Sequence, residues 1–336
     1  MKINFEHRQS AHCENGVVSS LLRFHGLAFD EPMVFGIGAG LFFSYFPFLK
    51  MNGIPVTSFR TMPSYIFKRF ANSLGIKVKS HTYSSTEKAM QTLDAMIEKG
   101  QPVGLLTSVF YLPYLPEAYR FHFNAHNIII YGKENGLYLV SDPVMDNPTT
   151  ITAEDLTRAR FAKGIPEPKG KMYYPLTFPE KYDLPKAIIM SIKHVSFFMA
   201  KTPMPILGAN GIKYLANRMR NWPSKLGERK SVLWLGNVIR MQEEIGTGGA
   251  GFRFIYAAFL DKASTILKDD FLFEASKELT AIGDQWRSFA YEASRVCKNR
   301  KGELSSFSAL ADKVYAIGIA EQQLFDKLHQ WASNKK

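Results

Sequence analysis

Cysteine is scarce in this chain: 336 residues contain two, Cys13 and Cys297. Thiols so few and so far apart exclude a disulfide-built scaffold and predict a reducing, cytoplasmic setting. The eight histidines are not spaced as metal-ligand clusters, so no metal site is expected. No apolar run reaches the roughly 18 residues of a membrane-spanning helix. The most apolar stretch, 33–49, is broken by three glycines, Ser44 and Pro47. The first ten residues lack the apolar run of a signal peptide. A Gly-Thr-Gly-Gly-Ala-Gly run at 246–251 lacks the Gly-Lys-Ser/Thr ending of a phosphate-binding loop and follows no predicted strand, which excludes nucleotide binding. Acidic residues are in deficit, 30 against 42 basic, giving a net charge of +12. No nucleic-acid motif accompanies that excess, so it fits an acidic protein partner, an anionic membrane surface in peripheral contact, or a plain solvated surface.

What is present begins with residues 11–26. Cys13 stands among polar neighbours, His12, Glu14 and Asn15, where a loop gives way to a helix. Val17, Leu21 and Leu22 follow at helical spacing, Phe24 extends the apolar run, and Gly26 stops it. A thiolate at a helix N-terminus is favoured by the free N–H groups and the helix dipole, and a histidine within reach makes it a nucleophile.

Residues 122–143 supply that histidine. The pattern predicts a hairpin, with a strand from Asn127 to Tyr131, a turn over 133–136 and a return strand from Leu137 to Val140. His126 opens the first strand and Asp142 closes the second, so antiparallel pairing brings them side by side as base and orienter. His122 is the competing base. A cysteine at a helix start followed about a hundred residues later by such a hairpin predicts a papain-like, cysteine-peptidase-like α+β domain. The backbone N–H of Cys13 is the expected oxyanion donor, completed by Gln9 or His7, with His12, Glu14 and His122 in supporting positions.

Between these segments the pattern predicts helices over 64–74 and 85–99 (Ser84 or Ser85 as N-cap, Gly100 as stop) around an extended stretch at 77–83, then a buried strand over 101–108. The aromatic-proline loop 111–116 reads as a rim carrying Tyr111 and Tyr114. The aromatics of 42–48, Phe43 and Tyr45 among them, read either as a buried connection or as the lining of an acyl chain. The domain plan is 1–150 catalytic, 151–183 a lysine- and proline-rich linker, and 184–336 helical. The helices are expected at 184–201, 206–221, 224–244, 250–268, 271–297 and 304–333. Trp234 and Trp286 are expected in packing. The 246–251 run is a tight turn, or an anion cradle if Arg253 and Tyr256 serve it.

The segments His12-Cys13-Glu14, Glu31 to Leu41, Tyr111 to Tyr114, His122-Phe123 and His126 resemble the N-terminal domain of the butirosin biosynthesis protein H (BtrH) family over residues 8–145. The blocks Gly246 to Arg253, Tyr256 and Phe259-Leu260 resemble the helical domain that usually follows it. The resemblance implies an acyltransferase of secondary-metabolite or lipid biosynthesis on a cysteine-peptidase-like core. The donor would be a phosphopantetheine thioester on an acidic acyl carrier protein or coenzyme A, and the acceptor a small-molecule amine. No permanently bound cofactor is implied. Phe43, Tyr45, Tyr111, Tyr114, Arg253 and Tyr256 would then line the acyl or acceptor pocket, and the basic stretch 213–230 would suit the carrier. A peptidase or thioesterase with the same Cys-His-Asp set is the alternative reading, a non-catalytic binding protein the third. Self-association stays open.

Overall fold

The computed structural model describes residues 1–298 and 306–335. Its first half runs α1 (Cys13–Phe24), α2 (Glu31–Ile37), β1 (Leu41–Met51), β2 (Ile54–Arg60), α3 (Tyr65–Ser73), β3 (Lys77–His81), α4 (Thr86–Glu98), β4 (Val103–Thr107), β5 (His126–Glu134), β6 (Leu137–Ser141), β7 (Thr149–Ile151), α5 (Ala153–Arg160) and β8 (Met172–Thr177). The second half is helical: α6 (Leu184–Ser196), α7 (Gly208–Arg220), α8 (Trp222–Leu226), α9 (Glu228–Glu243), α10 (Arg253–Leu267), α11 (Asp270–Cys297) and α12 (Phe307–Asn334). The expected start of the last helix at 304 lies outside the described residues. Two compact units result, one of Met1–Val34 with Ile66–Tyr182, the other of Phe35–Tyr65 with Asp183–Lys336.

The first unit is α+β. Its six-stranded sheet has the order β3-β8-β4-β5-β6-β7, with antiparallel pairing throughout. Seven successive residues of β5, His126 to Gly132, are buried, because both faces of that central strand are covered. Val17, Val18, Leu21 and Leu22 of α1 are without solvent exposure. A second layer from α4 and α5 (Leu93, Ile97, Leu156, Ala159) packs with Ile128 and Ile130 of the sheet. The β5–β6 turn is tighter than the sequence pattern suggests. Glu134 pairs with Leu137, so only Asn135 (φ 50°) and Gly136 (φ 79°) make the turn, the left-handed pair that twists with a hairpin.

Two boundaries differ from the sequence reading. Residues 151–183 are not a linker: β7 pairs with β6, and β8 lies between β3 and β4 in the sheet. Arg160 fastens the segment, its fully buried guanidinium donating to Ala89 O (3.1 Å) and Gly170 O (2.9 Å). Burial lowers its pKa to about 10. Of the residues that read as linker composition, Lys163, Lys169 and Lys181 are exposed, whereas Pro168 and Pro175 are buried with Met172, Tyr173 and Tyr174.

Residues 35–65 depart from the N-terminal unit and form a hairpin, β1–β2, in the other one. Phe43 and Phe59 pack edge-to-face (5.2 Å) and both meet Trp286 of α11. Phe48, read with them as a lining residue, is exposed.

The second unit is a helical bundle around a buried ion pair. Arg253 Nε and Nη2 donate to the two Glu321 oxygens at 2.9 and 2.8 Å, Arg253 Nη1 to Gly251 O at 2.7 Å, and Trp286 Nε1 to Glu321 Oε1 at 2.7 Å. Neither charge has any exposure. The glycine run that precedes it is a turn. Gly248, Gly249, Ala250, Gly251 and Phe252 all have positive φ, and a Cβ on Gly251 would lie 2.3 Å from the Phe59 ring. The Ala250 N–H is taken by the Glu243 carboxylate (3.1 Å) and the Gly249 N–H by Thr247 Oγ1 (3.0 Å).

A fully buried bidentate pair is costly to break from one side, by about 3–5 kcal/mol. Glu321→Ala is therefore expected to lose about that much stability in chemical denaturation, while joint replacement of Arg253 by Met and Glu321 by Leu loses far less. A Glu321→Ala protein within about 1 kcal/mol of wild type would show that the pair does not organise the bundle.

Candidate active site

The segment before Cys13 is strapped along the β5–β6 hairpin. Ile3 N–H donates to Tyr131 O (3.0 Å), the His7 ring bonds Ser141 Oγ (2.8 Å) and Met145 O (3.0 Å), and Ser10 N–H donates to Pro143 O (2.8 Å). The last contact is close because Gly16, one turn into α1, has no side chain. A Cβ there would stand 2.6 Å from Pro143 Cβ and 2.7 Å from Ser10 Cβ. At the helix start, Glu31 accepts from His12 N–H (2.6 Å) and Ala11 N–H (3.0 Å). Burial raises the Glu31 pKa, against the two backbone donors that pull it down. His12 caps the helix through Nδ1, which accepts from Asn15 N–H at 3.4 Å.

These restraints place Cys13, at the first position of α1 and 7% exposed, against the hairpin's open end. His126 Nε2 bonds Asp142 Oδ2 at 2.8 Å, and the imidazole is also hydrogen-bonded to Cys13. With Nε2 committed to Asp142, Nδ1 is the nitrogen left for the thiol. Asp142 has no exposure, and both its oxygens are engaged: Oδ2 also accepts from the Tyr114 hydroxyl (2.9 Å), and Oδ1 from Val144 N–H (3.1 Å).

Burial disfavours the charged imidazole, but the charges of Asp142 and Cys13, with the hydrogen bonds to both, outweigh it and raise the His126 pKa well above 6.5. Cys13 and His126 thus favour each other's charged form, the thiolate–imidazolium state a nucleophilic cysteine requires. Burial, then the Asp142 charge, lifts the Tyr114 pKa well above 10, so its hydroxyl remains a donor.

The structure brings Cys13, His126 and Asp142 together as the sequence pattern implies, and departs from it around them. Gln9 is exposed and donates to Asp146 (2.7 Å), and both His7 nitrogens are engaged, so neither side chain is directed to the thiol as an oxyanion donor. His122 is exposed and stacked on Phe110 (4.1 Å). Glu14 is buried in the field of Lys171 and Tyr173. Tyr114 orients Asp142, where a pocket wall was expected. Tyr111 packs on the α4–α5 side of the core under Arg158 (5.1 Å).

Phe43, Tyr45, Arg253 and Tyr256 are interior residues of the second unit, none more than 1% exposed. Arg253 is spent on Glu321, and Tyr256 packs against Phe259 and Phe325. As placed, they are core.

Two residues beside the triad escaped the sequence reading. Asn127 Nδ2 lies 3.8 Å from Cys13 Sγ, and its Oδ1 accepts from the Tyr173 hydroxyl at 2.7 Å. Asn127 adjoins His126 in sequence, which was the available signal. Tyr173 lies on β8, in the stretch that read as linker.

Because the folded pKa of His126 is raised, its contribution to stability is complete below about pH 6.5, the unfolded value, and fades as pH rises through the folded one. In Asp142→Asn the charge that opposes desolvation is gone, and the His126 midpoint followed by NMR is expected to fall. A midpoint unchanged by that substitution would contradict the coupling.

Residues 12–143 match the family described as butirosin biosynthesis protein H, N-terminal, and residues 154–328 match a domain of unknown function, DUF4872. No curated protein matches the chain. A crystal structure described as that of a C39-like peptidase from Bacillus anthracis is similar at 15% identity and a TM-score of 0.36, over 55% of this chain and all of that one. The two family matches together span both units, in the order the sequence segments suggested. The chain belongs to the DUF4872 family, whose model covers more than half of it, and carries ahead of that domain a segment that matches the N-terminal domain of butirosin biosynthesis protein H.

Proposed function

We propose that this protein is a cysteine acyltransferase that moves an acyl group from a phosphopantetheine thioester to an amine. The single observation carrying the reading is the line Cys13–His126–Asp142, with its raised imidazole pKa. The Cys13 thiolate attacks the thioester carbonyl. The carbon–sulfur bond to pantetheine breaks, and the departing thiolate takes the proton from His126. The acyl group is then held as a Cys13 thioester. An amine attacks that carbonyl, His126 accepts the amine proton, and the Cys13 thiolate leaves, giving an amide. Thioester to amide is downhill, so the reaction needs no ATP. Asp142 holds the imidazole tautomer through both halves, and the Cys13 N–H is the proposed oxyanion donor.

An acidic acyl carrier protein is the proposed donor carrier. Arg218, Lys225, Arg229 and Lys230 are exposed on α7 to α9, whereas Arg220 is paired with Asp312 (2.5 Å). A basic patch of this kind raises encounter rates with an acidic partner.

Product analysis separates transfer from hydrolysis. With an acyl-pantetheine thioester and a primary amine, amide should exceed free acid, and His126→Ala should slow turnover about 10²- to 10⁴-fold. Free acid as the sole product would make the protein a thioesterase. Peptide cleavage without thioester turnover would make it a peptidase. Joint reversal of Lys225, Arg229 and Lys230 to Glu is expected to lower kcat/KM about tenfold for the carrier-bound donor and to spare the free pantetheine thioester. Equal kcat/KM for both donors would exclude this face as the docking surface.

A further inference from the structure

We infer that Asn127, locked by Tyr173, is a positioning residue that presents an amide N–H to the Cys13 sulfur and stabilises the thiolate. The inference rests on the reading of Cys13 as nucleophile and adds to it a donor on β5 that the Cys-His-Asp line does not contain.

Alternation along β5 puts Asn127 and Ile129 on the face opposite to Ile128 and Ile130, which belong to the α4–α5 core. The Asn127 side chain is 3% exposed, so its amide must find partners inside the protein. It finds three. Nδ2 donates to Ala125 O at 3.3 Å and faces Cys13 Sγ at 3.8 Å, while Oδ1 accepts from the Tyr173 hydroxyl at 2.7 Å.

That set fixes which end of the amide meets sulfur. Rotating the carboxamide by half a turn would point Oδ1 at the Ala125 carbonyl and at the sulfur, an acceptor against two acceptors. Tyr173 secures the same sense by donating. Burial, then the charges of Glu14 and Cys13, raises its pKa well above 10, so the hydroxyl keeps its proton beside a thiolate.

The ring of Tyr173 is itself held. It packs on Phe67 (5.6 Å between centroids) and lies across Gly104 of β4, where a Cβ would come within 2.5 Å of it. A neutral amide suits this position, since a second cation would compete with His126 and a carboxylate would repel the thiolate. Its charge-assisted hydrogen bond strengthens only when sulfur is ionised.

The test is the pH dependence of Cys13 alkylation by iodoacetamide, read on the Cys13 peptide by mass spectrometry so that Cys297 does not contribute. Relative to wild type, Asn127→Ala should raise the midpoint by about one pH unit, the equivalent of a hydrogen bond to a charged group. Asn127→Asp should raise it further. Tyr173→Phe, nearly isosteric, should raise it by less, because the amide is present but unlocked. Midpoints for Asn127→Ala and Tyr173→Phe that coincide with wild type would overturn the inference. The readout needs no acyl donor: a shifted midpoint in a protein without acyl-transfer activity upholds the role of Asn127 and removes the acyltransferase reading instead.

Discussion

A carboxylate without access to water sets the terms for the first unit. Removing an ionised group from solvent costs several kcal/mol unless each lone pair is answered. Asp142 is answered by His126 Nε2, the Tyr114 hydroxyl and the Val144 N–H. Each donor fixes something else. Val144 N–H fixes the chain just after β6, Tyr114 anchors the loop following β4, and His126 is turned so that its remaining nitrogen meets Cys13. The helix that opens with Cys13 is then held to this cluster by the backbone, through Ser10 N–H on Pro143 O and the bare Gly16 beside it. The site is therefore built from strand ends and a helix start, elements whose positions are set by a packed sheet.

The second unit uses the same physics for a different end. Arg253 and Glu321 are as buried as Asp142, but their partners are each other, Trp286 and a backbone carbonyl. Every Arg253 nitrogen and both Glu321 oxygens are engaged within the unit, so this network organises the core. At the candidate site, by contrast, the His126 imidazole lies between Asp142 and Cys13, and its interactions with both raise its pKa.

The line Cys13–His126–Asp142 was legible because it is local in pattern: a helix start at Cys13, strand ends at His126 and Asp142, and a hairpin that must bring the latter two together. The resemblance of short segments also foretold both family domains. The misread parts depend on long-range contacts that composition does not carry. The aromatics of 42–48 have the density of a greasy lining, but β1 and β2 pair with each other and bury Phe43 against Trp286, some 240 residues later in the chain. Lysine and proline in 151–183 hid β8, whose burial comes from strands 70 and 100 residues earlier. Gln9 sits near the position where a papain-like enzyme keeps its oxyanion donor, yet Asp146 takes its amide. Tyr173 meets Asn127 only once β8 is in the sheet, so no pattern in its own segment announces it.

Intact-protein mass spectrometry after brief incubation with an acyl-pantetheine thioester tests the central claim most directly. The account predicts a gain of one acyl mass on wild type, none on Cys13→Ala, and loss of the adduct on adding an amine faster than in buffer alone. An adduct that persists in Cys13→Ala, or wild type that stays unmodified while the thioester is consumed, would contradict an acyl-Cys13 intermediate.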